Sequence, residues 1–138
     1  MKVKEAMTGH PEIVRPDTTV QEAARLMCDR GVGVLVVQDE EGQLGIVTDR
    51  DITVRATAQG LNPQMSYVQS CMTPAPATCL EDEELEVAME LMKELQVRRL
   101  PVHDSRNGVA GILSLGDVAQ NAEDAVSGQV LRRICHSP

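Results

Sequence analysis

Aromatic residues are almost absent from this chain: its 138 residues include one tyrosine, Tyr67, and neither tryptophan nor phenylalanine. Proteins that bind single-stranded nucleic acid usually stack the bases on aromatic side chains. A net charge of −8 also repels phosphate backbones and anionic lipid surfaces. We therefore expect neither nucleic acid nor a membrane as a partner.

The chain also lacks long apolar runs. None approaches the ~20 residues that span a bilayer, and Met1–Glu5 lacks the apolar stretch of a signal peptide. We expect a cytoplasmic protein. The four cysteines form no C-x-x-C pair and the three histidines stand at no zinc spacing. With no nucleophile–base pair and no glycine-rich phosphate loop either, the sequence predicts no enzyme, no metal site and no required cofactor.

What the chain does contain is a tandem repeat. Val3–Thr8 returns as Val68–Thr73, and Gly45–Asp51 returns as Gly111–Asp117. The offset is 65 residues and becomes 66 after the turn near Asn107. A copy of this length buries little core on its own, so we expect the two copies to pack together. Two similar clefts about a pseudo-twofold axis would favour a paired binding module over a single catalytic cleft.

The predicted organisation is two repeats, 1–62 and 63–123, followed by a helical tail, 124–138. Each repeat predicts the order strand, helix, strand, strand, helix. In the first repeat, Thr18 or Thr19 can cap a helix. The buried stripe of that helix has helical spacing and comprises Val20, Ala23, Ala24 and Met27. In the second repeat, the corresponding stripe comprises Leu85, Ala88, Met89 and Met92.

Both repeats carry Gly-x-x-Thr/Ser-x-x-Asp where a strand meets a helix, with Thr48 and Asp51 in one and Ser114 and Asp117 in the other. The glycine would let a ligand approach the strand end. The hydroxyl would lie where backbone N–H groups favour an anion. The carboxylate is a usual partner of ribose hydroxyls. The same pattern also fits a helix-capping box that needs no ligand; its presence in both repeats favours the ligand.

These motifs, together with Gln96–Val102, make the chain resemble a tandem pair of cystathionine-β-synthase (CBS) domains, the Bateman module, over roughly Val3 to Glu123. The resemblance implies an α/β (α+β) fold of two β-α-β-β-α units packed through their sheets about a pseudo-twofold axis. It also implies a homodimer, parallel or antiparallel. Its regulatory ligand would be an adenine nucleotide or S-adenosylmethionine.

The resemblance also implies site residues. Asp117 would hold the ribose, Ser114 the ribose or phosphate, and Arg99, with Arg98 beside it, the phosphate. The other copy would receive the base of that ligand near Met7, Glu12 and Gly33. In the first repeat Thr48 and Asp51 take the equivalent roles, and the base would meet Met72, Ala77 and Arg98.

The two implied sites are unequal. The first repeat has Gly33-Val34 where the second has Arg98-Arg99, so Arg50 is the candidate for the missing positive charge. Glu12 could accept from an adenine amino group or repel phosphates, and Ala77 stands in its place in the other copy. At most one strong site is expected, and the sequence does not say which. Two arginines at a strand start could instead pair with surface carboxylates.

Two functions follow from these observations. The first is a regulatory module that senses an adenosine-containing ligand and modulates an unknown effector protein. The second is a ligand-independent dimeric interaction module with vestigial clefts, which the missing phosphate clamp of the first repeat favours. Nucleotide-dependent stabilisation that depends on Asp51 and Asp117 would distinguish the first function from the second.

Overall fold

A computed structural model of the chain describes residues 1–75, 77–121 and 124–135, with the backbone alone described for 124–127. The strands are β1 (Thr8–Gly9), β2 (Ile13–Val14), β3 (Val34–Gln38), β4 (Leu44–Thr48), β5 (Thr73–Pro74), β6 (Cys79–Leu80), β7 (Arg99–His103) and β8 (Val109–Ser114). The α-helices are α1 (Val3–Ala6), α2 (Val20–Arg30), α3 (Asp49–Asp51), α4 (Leu85–Leu95), α5 (Leu115–Asn121) and α6 (Asp124–Cys135). A π-helix (Ile52–Thr57) continues α3, and a 3-10 helix spans Val68–Ser70.

The predicted β-α-β-β-α order is confirmed in both repeats, and the mixed fold contains two four-stranded sheets. The chain forms two compact units. Unit 1 consists of Met1–Pro11 together with the described part of Pro76–Pro138, and unit 2 consists of Glu12–Ala75. These units differ from the sequence division after residue 62, because each unit combines one repeat with the segment that leads into the other.

Unit 2 is built on the sheet β2-β3-β4-β5. Strand β2 runs parallel to β3, and β3 and β4 form an antiparallel hairpin. Strand β5 completes the sheet by pairing Thr73 with Ile46 of β4. The core beneath it is aliphatic, with Leu35, Val37 and Val47 almost fully buried. Such a core is what a chain with so few aromatic residues must use.

Unit 1 repeats this arrangement as the sheet β1-β8-β7-β6. Here β6 is parallel to β7, β7 pairs with β8, and β1 completes the sheet by pairing Thr8 with Ile112. We call residues 1–11 the first leading segment and residues 66–75 the second leading segment. Each leading segment therefore supplies an edge strand to the repeat other than the one that it leads into. Val3 and Val68 anchor them, since both side chains are fully buried.

Helix α2 begins as the sequence predicts, with Thr19 as the cap: its hydroxyl accepts a hydrogen bond from the Glu22 N–H at 3.1 Å. The predicted stripe is correct except for Ala24, which is exposed. Its counterpart in α4, Met89, is buried in the same cluster as Val130 and Ile134 of α6. The difference arises because the tail helix α6 packs on α4 and thereby widens its buried face.

Helix α6 packs into the core of unit 1 through Val130 and Ile134, whereas Leu131 is substantially exposed. His103 is the last residue of β7 and is buried, and its Nδ1 has no hydrogen-bond partner among the described residues. In the described part of the chain, no helix combines the length and apolar character that crossing a membrane requires.

Candidate functional site

The repeated motif of unit 1 lies where β8 passes into α5. The Asp117 carboxylate accepts a hydrogen bond from the Ser114 backbone N–H at 3.0 Å, and the Ser114 hydroxyl accepts one from the Asp117 N–H at 3.1 Å. The Thr8 hydroxyl of the first leading segment also donates to this carboxylate, at 3.4 and 3.5 Å to its two oxygens. Unit 1 therefore brings Thr8, Ser114 and Asp117 together.

The motif of unit 2 has the same geometry where β4 passes into α3. The Asp51 carboxylate accepts from the Thr48 N–H at 3.0 Å, and the Thr48 hydroxyl accepts from the Asp51 N–H at 3.1 Å. Both motifs are thus complete capping boxes, as the ligand-independent interpretation requires.

Capping leaves part of each motif available for a ligand. A hydroxyl that accepts from a backbone N–H still has its own O–H to donate. A carboxylate has about four acceptor positions on its two oxygens, so the bond from the backbone N–H, and at Asp117 also that from Thr8, leaves further positions for a ligand. Thr48 and Asp51 are half-buried rather than sealed in the core, and so are Ser114 and Asp117. One donor beside one carboxylate oxygen matches what a ribose hydroxyl pair needs. The structural and ligand roles of these residues are therefore compatible.

The glycines of the two motifs have a different role from the expected one. A Cβ on Gly111 would lie 2.6 Å from the Thr8 carbonyl oxygen and 2.7 Å from Met7 Sδ. A Cβ on Gly45 would lie 3.0 Å from Met72 Sδ and 3.2 Å from the Thr73 oxygen. The space above each glycine is filled by a leading segment, so the missing side chain admits the edge strand rather than a ligand.

The start of β7 in unit 1 and the start of β3 in unit 2 have opposite charges beside them. Arg98 and Arg99 are exposed in unit 1, and within the described ranges neither forms a salt bridge. In unit 2 the corresponding Gly33 lies against Asp49, whose Oδ2 is 2.9 Å from the place of a Cβ. Unit 1 therefore has guanidinium groups near its motif where unit 2 has a carboxylate.

The remaining sequence-predicted residues are distributed between the units. Arg50 is exposed and lines a shallow pocket of about 340 Å³ with Asp49, Thr53 and Val54. Glu12 forms an ion pair with Arg30 at 3.5 Å, so its carboxylate already has a cationic partner.

Each of the two predicted sets of base-contacting residues is split between unit 1 and unit 2. Met7 lies in unit 1 with Ser114 and Asp117, whereas Glu12 and Gly33 lie in unit 2. Met72 lies in unit 2 with the Thr48–Asp51 motif, whereas Ala77 and Arg98 belong to unit 1. Within its own unit, each methionine packs partly buried against the core beside its motif glycine.

The pKa of the Cys71 thiol responds to the charges near the motif of unit 2. Burial raises the pKa of this thiol, the Asp51 carboxylate raises it further, and the Arg55 guanidinium lowers it. Asp51 and Arg55 therefore act on the same small region of the second leading segment. Arg55 reaches that segment directly, donating from Nη1 to the Met72 carbonyl at 3.3 Å and to the Thr73 hydroxyl at 3.4 Å.

Thr8 and Arg55 lie beside the motifs but are absent from the sequence-predicted site residues. Thr8 could have been found, because Met7-Thr8 returns as Met72-Thr73 in the repeat. Arg55 breaks the repeat, since its counterpart is Asn121, and it gave no signal of its own. The part of the chain that the structure describes contains no cluster of three or more histidine, cysteine, aspartate or glutamate side chains that could hold a metal ion.

Known proteins resemble the chain over most of its length. The family model described as CBS domain matches residues 3–56 and 68–124. The CBS domain-containing protein YhcV of Bacillus subtilis is 39% identical over 135 residues, which cover 97% of this chain and 95% of the relative.

Two solved structures extend the comparison. CBSX2, solved in complex with AMP, is 33% identical with a TM-score of 0.68, covering 88% of this chain and 95% of its own. A hexameric CBS-CP12 protein from bloom-forming cyanobacteria is 26% identical with a TM-score of 0.77, covering 91% of this chain and 73% of its own.

Proposed function

Because the chain belongs to the CBS domain family, as a tandem pair of such domains, we propose that it is a regulatory module that binds an adenosine-containing ligand. AMP is the first candidate because the similar CBSX2 was solved with AMP; ADP, ATP and S-adenosylmethionine are the others. The observation that carries the proposal is the pair of motifs in which a hydroxyl and a carboxylate each keep an unused hydrogen-bonding position.

In this proposal Asp51 and Asp117 accept hydrogen bonds from the ribose hydroxyls, and Thr48 and Ser114 donate to the ribose or phosphate. Arg98 and Arg99 bind the phosphate at the unit 1 motif, since their guanidinium groups have no salt-bridge partner in the described residues. Met7 and Met72, with Glu12 and Ala77, offer contacts for the base. We propose no catalytic activity.

The ligand would act by population shift: it stabilises whichever arrangement of the protein binds it better. The module would then modulate an effector protein in the cytoplasm as a homodimer. An oligomeric relative, the hexameric CBS-CP12 protein, supports self-association. Light scattering coupled to size-exclusion chromatography would measure the mass directly.

Isothermal titration calorimetry of the whole chain with AMP and with adenosine tests the binding step. The wild-type protein should bind AMP, and the double variant Asp51→Ala/Asp117→Ala should not. A matched control is Asp104→Ala, which changes a turn carboxylate that caps backbone N–H groups at Arg106 and Gly108. Binding that survives the double variant would exclude the motifs as the site.

A second function is favoured by one observation: each motif is a complete capping box without any ligand. The hydroxyl–carboxylate pair in each repeat is then explained by helix stability alone, and the chain would be a ligand-independent dimeric interaction module. A protein that binds no adenosine compound while forming a stable dimer would support this alternative.

A further inference from the structure

The guanidinium of Arg55 is held beside the unit 2 motif by weak contacts. Arg55 lies in the π-helix, four residues after Asp51, and its Nη1 alone donates to the Cys71 carbonyl, the Met72 carbonyl and the Thr73 hydroxyl at 3.3–3.4 Å. These distances are longer than the usual 2.7–3.2 Å of an N–H···O bond. Within the described ranges, Nε and Nη2 have no hydrogen-bond partner and the side chain forms no salt bridge.

The second repeat has an uncharged residue at the position of Arg55. Its counterpart is Asn121, whose amide donates to the Asp117 carbonyl at 2.7 Å and is thereby committed to its own helix. Thr8, the counterpart of Thr73, donates a hydrogen bond to the Asp117 carboxylate. The Thr73 hydroxyl instead accepts a hydrogen bond from the Arg55 guanidinium. The helix after the unit 1 motif therefore offers no positive charge at this place.

At the start of β7 and of β3 the distribution of charge is reversed. Unit 1 has Arg98 and Arg99 there, whereas in unit 2 the Asp49 carboxylate lies over Gly33 and would repel a phosphate. The positive charge thus lies at the strand start in unit 1 and on the helix in unit 2. In both units it accompanies a hydroxyl–carboxylate pair of the same geometry.

We propose that Arg55 is the phosphate-binding residue of the Thr48–Asp51 motif in unit 2. This inference rests on the proposed function, because it assumes that the motif binds an adenosine phosphate. Arg55 exchanges its long bonds to the second leading segment for charge-assisted bonds to the phosphate, while Asp51 keeps the ribose. Arg50, which the sequence suggested for this role, is exposed and lines a shallow pocket with Asp49, Thr53 and Val54.

The test compares the binding of AMP with that of adenosine, which lacks the phosphate, by calorimetry on the whole chain. The chain carries Asp117→Ala, so that the measured binding comes from the unit 2 motif. Adding Arg55→Gln should weaken AMP binding about 10- to 100-fold, the usual loss for a hydrogen bond to a charged group, and change adenosine binding less than about twofold. Arg55→Lys should restore part of the AMP affinity. Arg50→Gln, a neighbouring exposed arginine, should change AMP binding less than about twofold.

Equal weakening of AMP and adenosine would overturn the inference, because Arg55 would then only fasten the second leading segment. Loss of AMP affinity in Arg50→Gln instead of Arg55→Gln would also overturn it. So would wild-type AMP binding that disappears entirely with Asp117→Ala, although the proposed function would stand. A wild-type chain that binds neither compound would reject the proposed function and this inference together. Thermal unfolding of each unliganded variant verifies that it is folded.

Discussion

Ser114 and Asp117 hold each other through two hydrogen bonds, from the Ser114 N–H to the carboxylate at 3.0 Å and from the Asp117 N–H to the hydroxyl at 3.1 Å. The residues that we propose for ribose binding therefore also cap α5. A substitution at either position changes helix stability as well as affinity. Binding measurements on such variants consequently need the unfolding free energy of the unliganded protein beside them.

The first prediction concerns that capping role. Without ligand, Asp117→Ala should lower the free energy of unfolding by about 1 kcal/mol, the usual size of a lost helix cap. Asp117→Asn should lose less, because its amide oxygen can still accept from the Ser114 N–H. Urea unfolding monitored by circular dichroism measures both values. Identical stability for wild type and Asp117→Ala would contradict the capping role.

The second prediction concerns the contact between Gly111 and the first leading segment. A Cβ at Gly111 would meet the Thr8 carbonyl oxygen at 2.6 Å, and a backbone atom cannot move aside cheaply. Gly111→Ala should therefore cost about 1–3 kcal/mol of unfolding free energy.

The matched control is Gly9→Ala, on the strand paired with Gly111. Nothing lies within 4 Å of a Cβ there, so its cost should stay near ~0.5 kcal/mol or below. Similar costs for the two variants in urea unfolding would mean that the first leading segment does not pack on Gly111.

The third prediction uses two helix ends that correspond in the repeats. The residue that follows α2 is Gly31, with a φ of 65°, and the residue that follows α4 is Gln96, with a φ of 52°. A side chain is disfavoured in this left-handed region, so Gln96→Gly should stabilise the protein by about 1 kcal/mol.

The reciprocal variant, Gly31→Gln, should destabilise the protein by a similar amount, since nothing but backbone strain opposes a side chain at that position. Thermal unfolding of both variants checks the pair. A destabilised Gln96→Gly would show that the side chain of Gln96, through its contact with the Arg133 carbonyl, outweighs the strain.

Much of the fold was predictable because it depends on local chemistry. The helical stripe of Leu85, Ala88, Met89 and Met92 and the cap at Thr19 follow from spacing that each segment carries by itself. The exposed Ala24 was not predictable from α2 alone. Its difference from Met89 depends on α6, which packs on α4 and comes from a distant part of the chain.

The placement of the leading segments could not be predicted for a related reason. Val3–Thr8 and Val68–Thr73 are alike, so local sequence cannot decide which repeat each one joins. For the same reason the predicted sets of base contacts are split between the units: Met7 belongs to the unit of Asp117, and Met72 belongs to the unit of the Thr48–Asp51 motif. Arg55 escaped notice because its contacts depend on where the second leading segment lies.

The fourth prediction concerns the cysteines. Burial raises the pKa of the Cys79 thiol to about 12, with a smaller contribution from the Glu83 carboxylate, and burial also raises that of Cys71. The thiolate is the form that reacts. Iodoacetamide at pH 8 should therefore modify the exposed Cys28 and Cys135 in the native protein, and Cys71 and Cys79 only after unfolding.

Mass spectrometry of peptides identifies the modified positions. The raised pKa of Cys79 also has a pH consequence: the unfolded thiol ionises near its ordinary pKa of 9.0, before the folded one does. The folded state should lose stability from this group as the pH rises from 9.0 toward about 12. Rapid native labelling of Cys79 at pH 8 would contradict its burial.

The most direct test of the central claim, that the two motifs form adenosine-ligand sites, is thermal unfolding of the whole chain against AMP, ADP, ATP and S-adenosylmethionine. A ligand at a hundred times its dissociation constant adds about 2.7 kcal/mol, which should raise the midpoint by roughly 5–10 °C. We predict such a rise for at least one of these compounds in the wild type and its absence in Asp51→Ala/Asp117→Ala. A midpoint that no compound changes, or a rise that the double variant retains, would contradict the account.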